Sequence, residues 1–132
     1  VAVLDLPRSL SQHPVPAGAL PLPVDATDPA SVEEAFAAVG RSWDAIDGLV
    51  FLVGFTITPP APVESIAPAQ WDAVIAGNLR SAYLVARAAL PLLRRGSAPA
   101  IVNVSSGPRF NVLPGFGPYA AAKAGLVGLT KA

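Results

Sequence analysis

Short apolar runs alternate with helical patterns along this chain. Residues 1–6, 19–24, 49–53 and 100–105 read as strands. The continuous apolar character of 49–53 suits a parallel strand buried on both faces. Between the runs, Thr27-Asp28-Pro29 starts a helix, because a capping residue precedes a proline in the first turn. Val32, Ala35, Phe36 and Val39 give that helix its apolar spacing, and Gly40 is its expected stop. Pro68 opens a long helix reaching about Leu93, and a further helix covers 119–131. Strand and helix in alternation specify an α/β fold with a parallel sheet and helices on both faces.

Three stretches interrupt this pattern. Pro7, Pro14, Pro16, Gly18, Pro21 and Pro23 make residues 7–23 read as a turn or irregular loop, with 19–24 a weakened strand. Residues 56–68 form a second proline-rich loop. Gly77-Asn78 sits mid-helix where propensity disfavours it, which points to a packing or functional purpose.

The chain has 132 residues, so one domain spanning 1–132 is expected. Hydrophobic residues make up 52% and charged residues 14%, as a sheet covered on both faces requires. A formal net charge of zero provides no basic footprint for nucleic acid. No apolar run approaches the ~20 residues that span a bilayer. Without cysteine there is neither a disulfide nor a thiolate metal site, and no metal is expected. His13, in a polar loop between prolines, is assigned no role.

Tyr119 and Lys123 stand one turn apart in Tyr119-Ala-Ala-Ala-Lys123 and therefore share a helix face. A neighbouring ammonium favours phenolate over phenol. Such a tyrosine can give or take a proton at a hydroxyl or carbonyl oxygen. Ser106 ends the run Ile101-Val-Asn-Val-Ser-Ser106, 13 residues before Tyr119, and its hydroxyl can hold that oxygen. Tyr-x-x-x-Lys by itself is common on solvated helices. Here a strand ends in Ser-Ser-Gly, a Gly/Pro-rich loop follows, and a helix of small residues carries the pair. Asp5, Asp25, Gly54 and Ser106 all lie at or just after strand ends, where open parallel sheets bind their ligands.

Residues 101–132, IVNVSSGPRFNVLPGFGPYAAAKAGLVGLTKA, resemble the active-site half of a short-chain dehydrogenase/reductase. Asn78, in Ala76-Gly-Asn78-Leu-Arg-Ser-Ala-Tyr83, is similar to that family's helix asparagine. Asp25 resembles its adenine-side aspartate, and Val-Ala-Val-Leu-Asp5-Leu its second strand. The resemblance implies a Rossmann-like, doubly wound parallel sheet, incomplete at both ends. It also implies an NAD(P)-dependent oxidoreductase that interconverts a secondary alcohol and a ketone by hydride transfer. Tyr119 would be the general acid/base and Ser106 would orient the substrate oxygen. Lys123 would assist Tyr119 and bond the nicotinamide ribose, and Asn78 would hold a water linking Lys123 to solvent. Asn78 read from its residues alone also fits a helix-kink residue bonding its own backbone, and Asp25 a loop carboxylate preceding a helix.

By the same resemblance, Asp5, Asp25, Gly54, Tyr119 and Lys123 would bind the cofactor. Asp5 would accept both ribose hydroxyls of NAD and repel the extra phosphate of NADP, so NAD is expected. Arg8 is the residue that would receive that phosphate if NADP were used. Phe110, Val112, Pro114 and Phe116 follow the serine and suggest an apolar substrate body. The implied partners are a small alcohol or ketone and a second copy of the chain, as a homodimer or homotetramer, with no nucleic acid and no membrane. The implied location is cytoplasmic.

Two departures stand against the family pattern. No Gly-x-x-x-Gly-x-Gly run is present, and Asn-Asn-Ala-Gly appears as Phe51-Leu-Val-Gly54. With no methionine either, the chain reads as an internal fragment or the ordered part of a longer chain. The departures keep a second reading open, a catalytically silent binding or scaffold protein on the same fold. The Asn78, Ser106, Tyr119 and Lys123 set argues against it. An epimerase or dehydratase of the extended branch is a third reading, and Ala-Gly-Leu-Val-Gly-Leu-Thr after Lys123 favours the simpler reductases.

Overall fold

The computed structural model describes residues 1–107 and 113–132. Phe110 and Val112, expected beside the substrate, lie outside the described residues. In chain order the elements are β1 (Ala2–Asp5), α1 (Pro7–Gln12), β2 (Leu20–Pro23), α2 (Pro29–Ser42), β3 (Gly48–Phe51), a 3-10 turn (Val63–Ser65), α3 (Pro68–Ile75), a π-helical turn (Ala76–Arg80), α4 (Ser81–Leu93), β4 (Ala100–Asn103) and α5 (Gly117–Lys131). The strand–helix alternation of an α/β fold is therefore present. The residues group into two compact units, Val1–Leu49 with Leu84–Ala100, and Val50–Tyr83 with Ile101–Ala132.

In the first unit β1 and β2 pair in parallel, with Ala2 opposite Leu20 and Asp5 opposite Pro23. The prolines of β2 do not prevent this. Leu20 and Val24 donate their N–H groups to Val1 and Asp5, both at 2.9 Å. Strand N–H groups alternate sides, so Pro21 and Pro23 lack a donor only on the edge away from β1. Among the described residues β2 has no other strand neighbour.

Residues 7–12 correct the expectation of an irregular loop, because they form α1. Pro7 occupies the start of this helix, where a missing N–H breaks no bond. The other breakers, from Pro14 onward, all follow its end. α2 is capped as expected: the Asp28 carboxylate accepts from Ala30 and Ser31 N–H at 3.2 and 3.3 Å. Val32, Ala35, Phe36 and Val39 are buried, as their spacing requires. The helix passes Gly40 and stops at Ser42. Among the described residues only Gly18 and Gly115 take positive φ, so Gly40 has no left-handed stop to make. Leu84, Val85, Ala89, Leu92 and Leu93 of α4 complete the buried apolar set, and the helix continues through Pro91.

In the second unit Phe51, Val74, Ala82, Ala120, Ala122 and Leu126 are buried. α3 and the π-helical turn pack on α5. Pro68 opens α3, and the Gln70 side chain accepts from Ala67 N–H at 3.1 Å. The expected helix over 68–93 is thus real, but a π-helical turn replaces its middle, where Ser81 N–H reaches back to Ala76. Ser81 is fully buried, and its hydroxyl donates to the Gly77 carbonyl at 2.7 Å.

β3 and β4 pair with each other. Ala100 N–H donates to Asp47 O and Val104 N–H to Phe51 O, both at 3.0 Å. The partners advance together along both strands, so this pair is parallel too. No helix among the described residues is long and apolar enough to cross a membrane.

Candidate active site

Gly54, Asn78, Ser106, Tyr119 and Lys123 all belong to the second unit, and Asp5 and Asp25 to the first. Of the second-unit residues, Gly54, Asn78, Tyr119 and Lys123 are linked by the contacts that follow.

Lys123 is only 3% exposed. Its ammonium donates to the carbonyls of Val53 and Val104, both at 3.2 Å. An ammonium has three N–H donors, so among the described residues one remains for a ligand. Burial pushes this amine below its ordinary value of 10.5. Nζ lies over the Tyr119 ring, 5.8 Å from its centroid. That is within the ~6 Å over which a cation and an aromatic face attract. The shared helix face expected of Tyr119 and Lys123 is therefore realised on α5.

Gly54 follows β3 beside this lysine. A Cβ on residue 54 would lie 2.9 Å from Asn78 Oδ1 and 3.0 Å from Lys123 Nζ. Only glycine lets both polar groups approach this backbone. Phe51, in the altered motif, is a core residue at 3% exposure, while Leu52 is 69% exposed. Val53 meets Lys123 through its carbonyl, a group every residue carries, so the loss of the family's asparagines leaves that contact intact.

Asn78 is fully buried in the π-helical turn. Its Oδ1 accepts from Phe55 N–H at 3.2 Å, and its Nδ2 donates to Phe55 O at 2.8 Å and to Val74 O at 2.9 Å. Both Nδ2 hydrogens are thereby engaged. The bond to Val74 is the backbone contact of a helix-kink asparagine, and the pair to Phe55 fastens the segment after β3. Gly77 is what lets Phe55 close: a Cβ there would collide with the Phe55 ring.

The adjacent serines differ. Ser105 donates its hydroxyl to the Lys123 main-chain carbonyl at 2.9 Å. Ser106, at the end of the same strand, makes no side-chain hydrogen bond among the described residues, which leaves its hydroxyl for a ligand.

In the first unit the Asp5 carboxylate is exposed at the end of β1. It accepts from Leu6 N–H at 2.7 Å and from the Ser9 hydroxyl at 2.6 Å. Arg8 forms no ion pair among the described residues. Asp25 accepts from the Thr27 hydroxyl at 2.7 Å and from Thr27 N–H at 2.9 Å, both on Oδ1. These bonds, the hydroxyl first, hold its carboxyl below the ordinary 3.8. This is the geometry of an aspartate structuring the turn before a helix.

Phe55, Gly77 and Ser105 were not among the residues expected from sequence to build the site. The only signal was the misfit of Gly77-Asn78 within a helix. No group of three or more metal-ligating side chains occurs among the described residues.

The family model described as Enoyl-(Acyl carrier protein) reductase matches residues 4–132. The chain is similar to the short chain dehydrogenase mpl6 of Monascus purpureus, with 36% identity over 130 residues, 98% of this chain and 44% of that protein. It is similar to the D-beta-hydroxybutyrate dehydrogenase of Rhizobium meliloti, with 32% identity over 109 residues, 83% of this chain and 42% of that protein. Among solved structures, the ligand-free aldohexose dehydrogenase of Thermoplasma acidophilum superposes with a TM-score of 0.87 at 25% identity, covering 98% of this chain and 48% of that one. The chain thus spans less than half the length of these proteins.

Proposed function

Since the chain belongs to the short-chain dehydrogenase/reductase family, we propose that the whole protein is an NAD(P)-dependent oxidoreductase interconverting a secondary alcohol and a ketone. In this reading residues 1–132 are part of one Rossmann-like domain of a cytoplasmic enzyme. The observation that carries it is Lys123, buried, held by two carbonyls, and set over the Tyr119 ring. A buried ammonium is unfavourable unless partnered. A surface lysine would have needed none of this arrangement.

The residues fit a nicotinamide cofactor in two respects. Gly54 lets the ammonium close on the backbone, where a Cβ would crowd it. Asp5 presents an exposed carboxylate at a strand end. Lys123 would hold the nicotinamide ribose with its remaining N–H. Asp5 would accept the hydroxyls of the adenosine ribose, Asp25 would stand on the adenine side, and Gly54 would admit the cofactor to the backbone. When bound, the nicotinamide supplies or takes the hydride.

The chain's own residues handle the proton and the oxygen. Ser106 donates its free hydroxyl to the substrate oxygen and orients it. In reduction the Tyr119 hydroxyl gives its proton to that oxygen, and in oxidation the phenolate takes it back. Lys123 stands over the Tyr119 ring and, through Val53 and Val104, stays fixed to the segments after the two strands. Asn78 keeps the segment after β3 in place, with one Oδ1 lone pair left for a water that links Lys123 to solvent.

The deciding experiment is Tyr119→Phe in the full-length protein. Turnover of ketones with the reduced cofactor should vanish, while cofactor affinity changes little. Retention of more than a few percent of turnover would remove Tyr119 from the mechanism. Asp5 supports NAD over NADP, and titrating both reduced cofactors tests that choice. Tighter NADPH binding would point to Arg8 instead.

A further inference from the structure

We infer that Ser105 is a positioning residue for Lys123, a role that rests on the proposed oxidoreductase reading. Val104 and Ser105 directly follow β4, and together they hold both ends of one lysine. The Val104 carbonyl receives the ammonium at 3.2 Å, and the Ser105 hydroxyl donates to the Lys123 main-chain carbonyl at 2.9 Å. The two contacts close a ring from strand to helix and back. A lysine stem is flexible, with four carbons between Cα and the charge. Holding its carbonyl as well as its ammonium fixes α5 along the strand end. The ammonium thereby stays over Tyr119, with its third N–H unengaged among the described residues.

Among the described residues the Ser105 hydroxyl bonds the Lys123 main-chain carbonyl and no other group, so its effect passes through Lys123. This separates it from Ser106, whose hydroxyl is unengaged. Without the Ser105 hydroxyl, the helix can shift by a fraction of an ångström while the ammonium keeps its carbonyl partners. The lysine would then present its third N–H less well.

The test is a double-mutant cycle on cofactor affinity in the full-length protein. The probe is NADH or NADPH, whichever the wild type binds more tightly, read by calorimetry. Ser105→Ala should weaken binding by about three- to tenfold, a normal coupling for residues in direct contact. Ser105→Thr, which keeps the hydroxyl, should restore it. In a Lys123→Met background, Ser105→Ala should change affinity no further. Equal losses in both backgrounds would make Ser105 a general anchor of α5 and overturn the inference, as would no loss in either. If Lys123→Met itself leaves affinity and turnover intact, the proposed role of Lys123 fails, and this inference with it. Should Lys123→Met not fold, the two serine variants decide alone, because a Ser105→Thr protein that binds as weakly as Ser105→Ala overturns the inference.

Discussion

Asn78 and Phe55 are joined by a two-bond ring, in which the carboxamide accepts from Phe55 N–H at 3.2 Å and donates to Phe55 O at 2.8 Å. The side chain thus acts as a strand neighbour for one residue of an otherwise unpaired segment. It does so from a π-helical turn, a feature that often marks functional sites because it redirects side chains within a helix.

Replacing Asn78 by alanine should therefore destabilise the full-length protein by about 3 kcal/mol. The change leaves the buried Val74 carbonyl and the part-buried N–H and carbonyl of Phe55 without this partner, and an orphaned buried group costs roughly 1–3 kcal/mol. Urea unfolding measures this. A loss below about 1 kcal/mol would mean that water satisfies those groups instead.

Gly77→Ala pits two effects against each other. Helix propensity predicts a gain of about 1 kcal/mol. The new methyl, however, would collide with the Phe55 ring. Overpacking of this kind costs about 1–3 kcal/mol, so the expected net effect is destabilising. Adding Phe55→Ala should turn the glycine substitution from harmful to neutral or favourable. A stabilising Gly77→Ala on its own would show that the ring moves aside freely.

Gly54→Ala should act on the ligand side. Its Cβ would stand 2.9 Å from Asn78 Oδ1 and 3.0 Å from Lys123 Nζ, tighter than packed atoms normally come. Either the ammonium or the carboxamide must yield. Cofactor affinity in the full-length protein should fall by about tenfold or more, the equivalent of roughly 1.4 kcal/mol. Unchanged affinity would remove Gly54 from the cofactor site.

These particulars show what the sequence made legible. The four strands and three of the helical segments follow from apolar runs and spacing, and Asp28-Pro29 marks the start of α2. α1 is not legible, because the density of prolines and glycine over 7–23 masks that Pro7 stands where a helix tolerates it. Gly40 misled in the same way, since glycine permits a stop without enforcing one. Tyr119, Lys123 and Ser106 were legible as a pattern. The partners of Lys123 were not, because they are main-chain carbonyls of Val53 and Val104, which no residue identity announces. Ser105 and Ser106 are chemically identical, and the 13-residue spacing to Tyr119 selects Ser106, but the bond of Ser105 to the Lys123 carbonyl is announced by neither residue type nor spacing.

Burial of Lys123 also predicts a pH dependence. Its amine loses its proton more readily in the folded protein than the ordinary 10.5 of an unfolded chain. Between the lowered value and 10.5 the unfolded state binds more protons, so stability rises with pH across that window. The unfavourable burial of the charge is fully present below the window. Urea unfolding of the wild type and of Lys123→Met, from neutral pH upward, isolates the contribution. The difference between them should shift in favour of the wild type as the pH climbs. A pH-independent difference would mean that the folded and unfolded lysines titrate alike.

The last prediction concerns assembly. Ala120 and Ala122 are buried within their own unit, and Gly125 faces Leu79, where a Cβ would lie 2.7 Å from Leu79 Cδ2. Ala121, Ala124 and Gly128 are exposed on the same helix, and space around Gly128 is open. Among the described residues, internal packing thus accounts for one side of α5 and leaves the other small-residue side exposed. A second copy of the protein, presenting the same face across a two-fold axis, would use it, because small side chains let helices approach closely and such interfaces are self-complementary. The full-length protein should therefore scatter light as a dimer or tetramer at micromolar concentration. Ala124→Arg, which places a long charged side chain on that face, should shift it toward monomer while leaving the melting temperature of dilute protein nearly unchanged. A wild type that is monomeric throughout, or an arginine variant that assembles as before, would place the interface elsewhere or remove it.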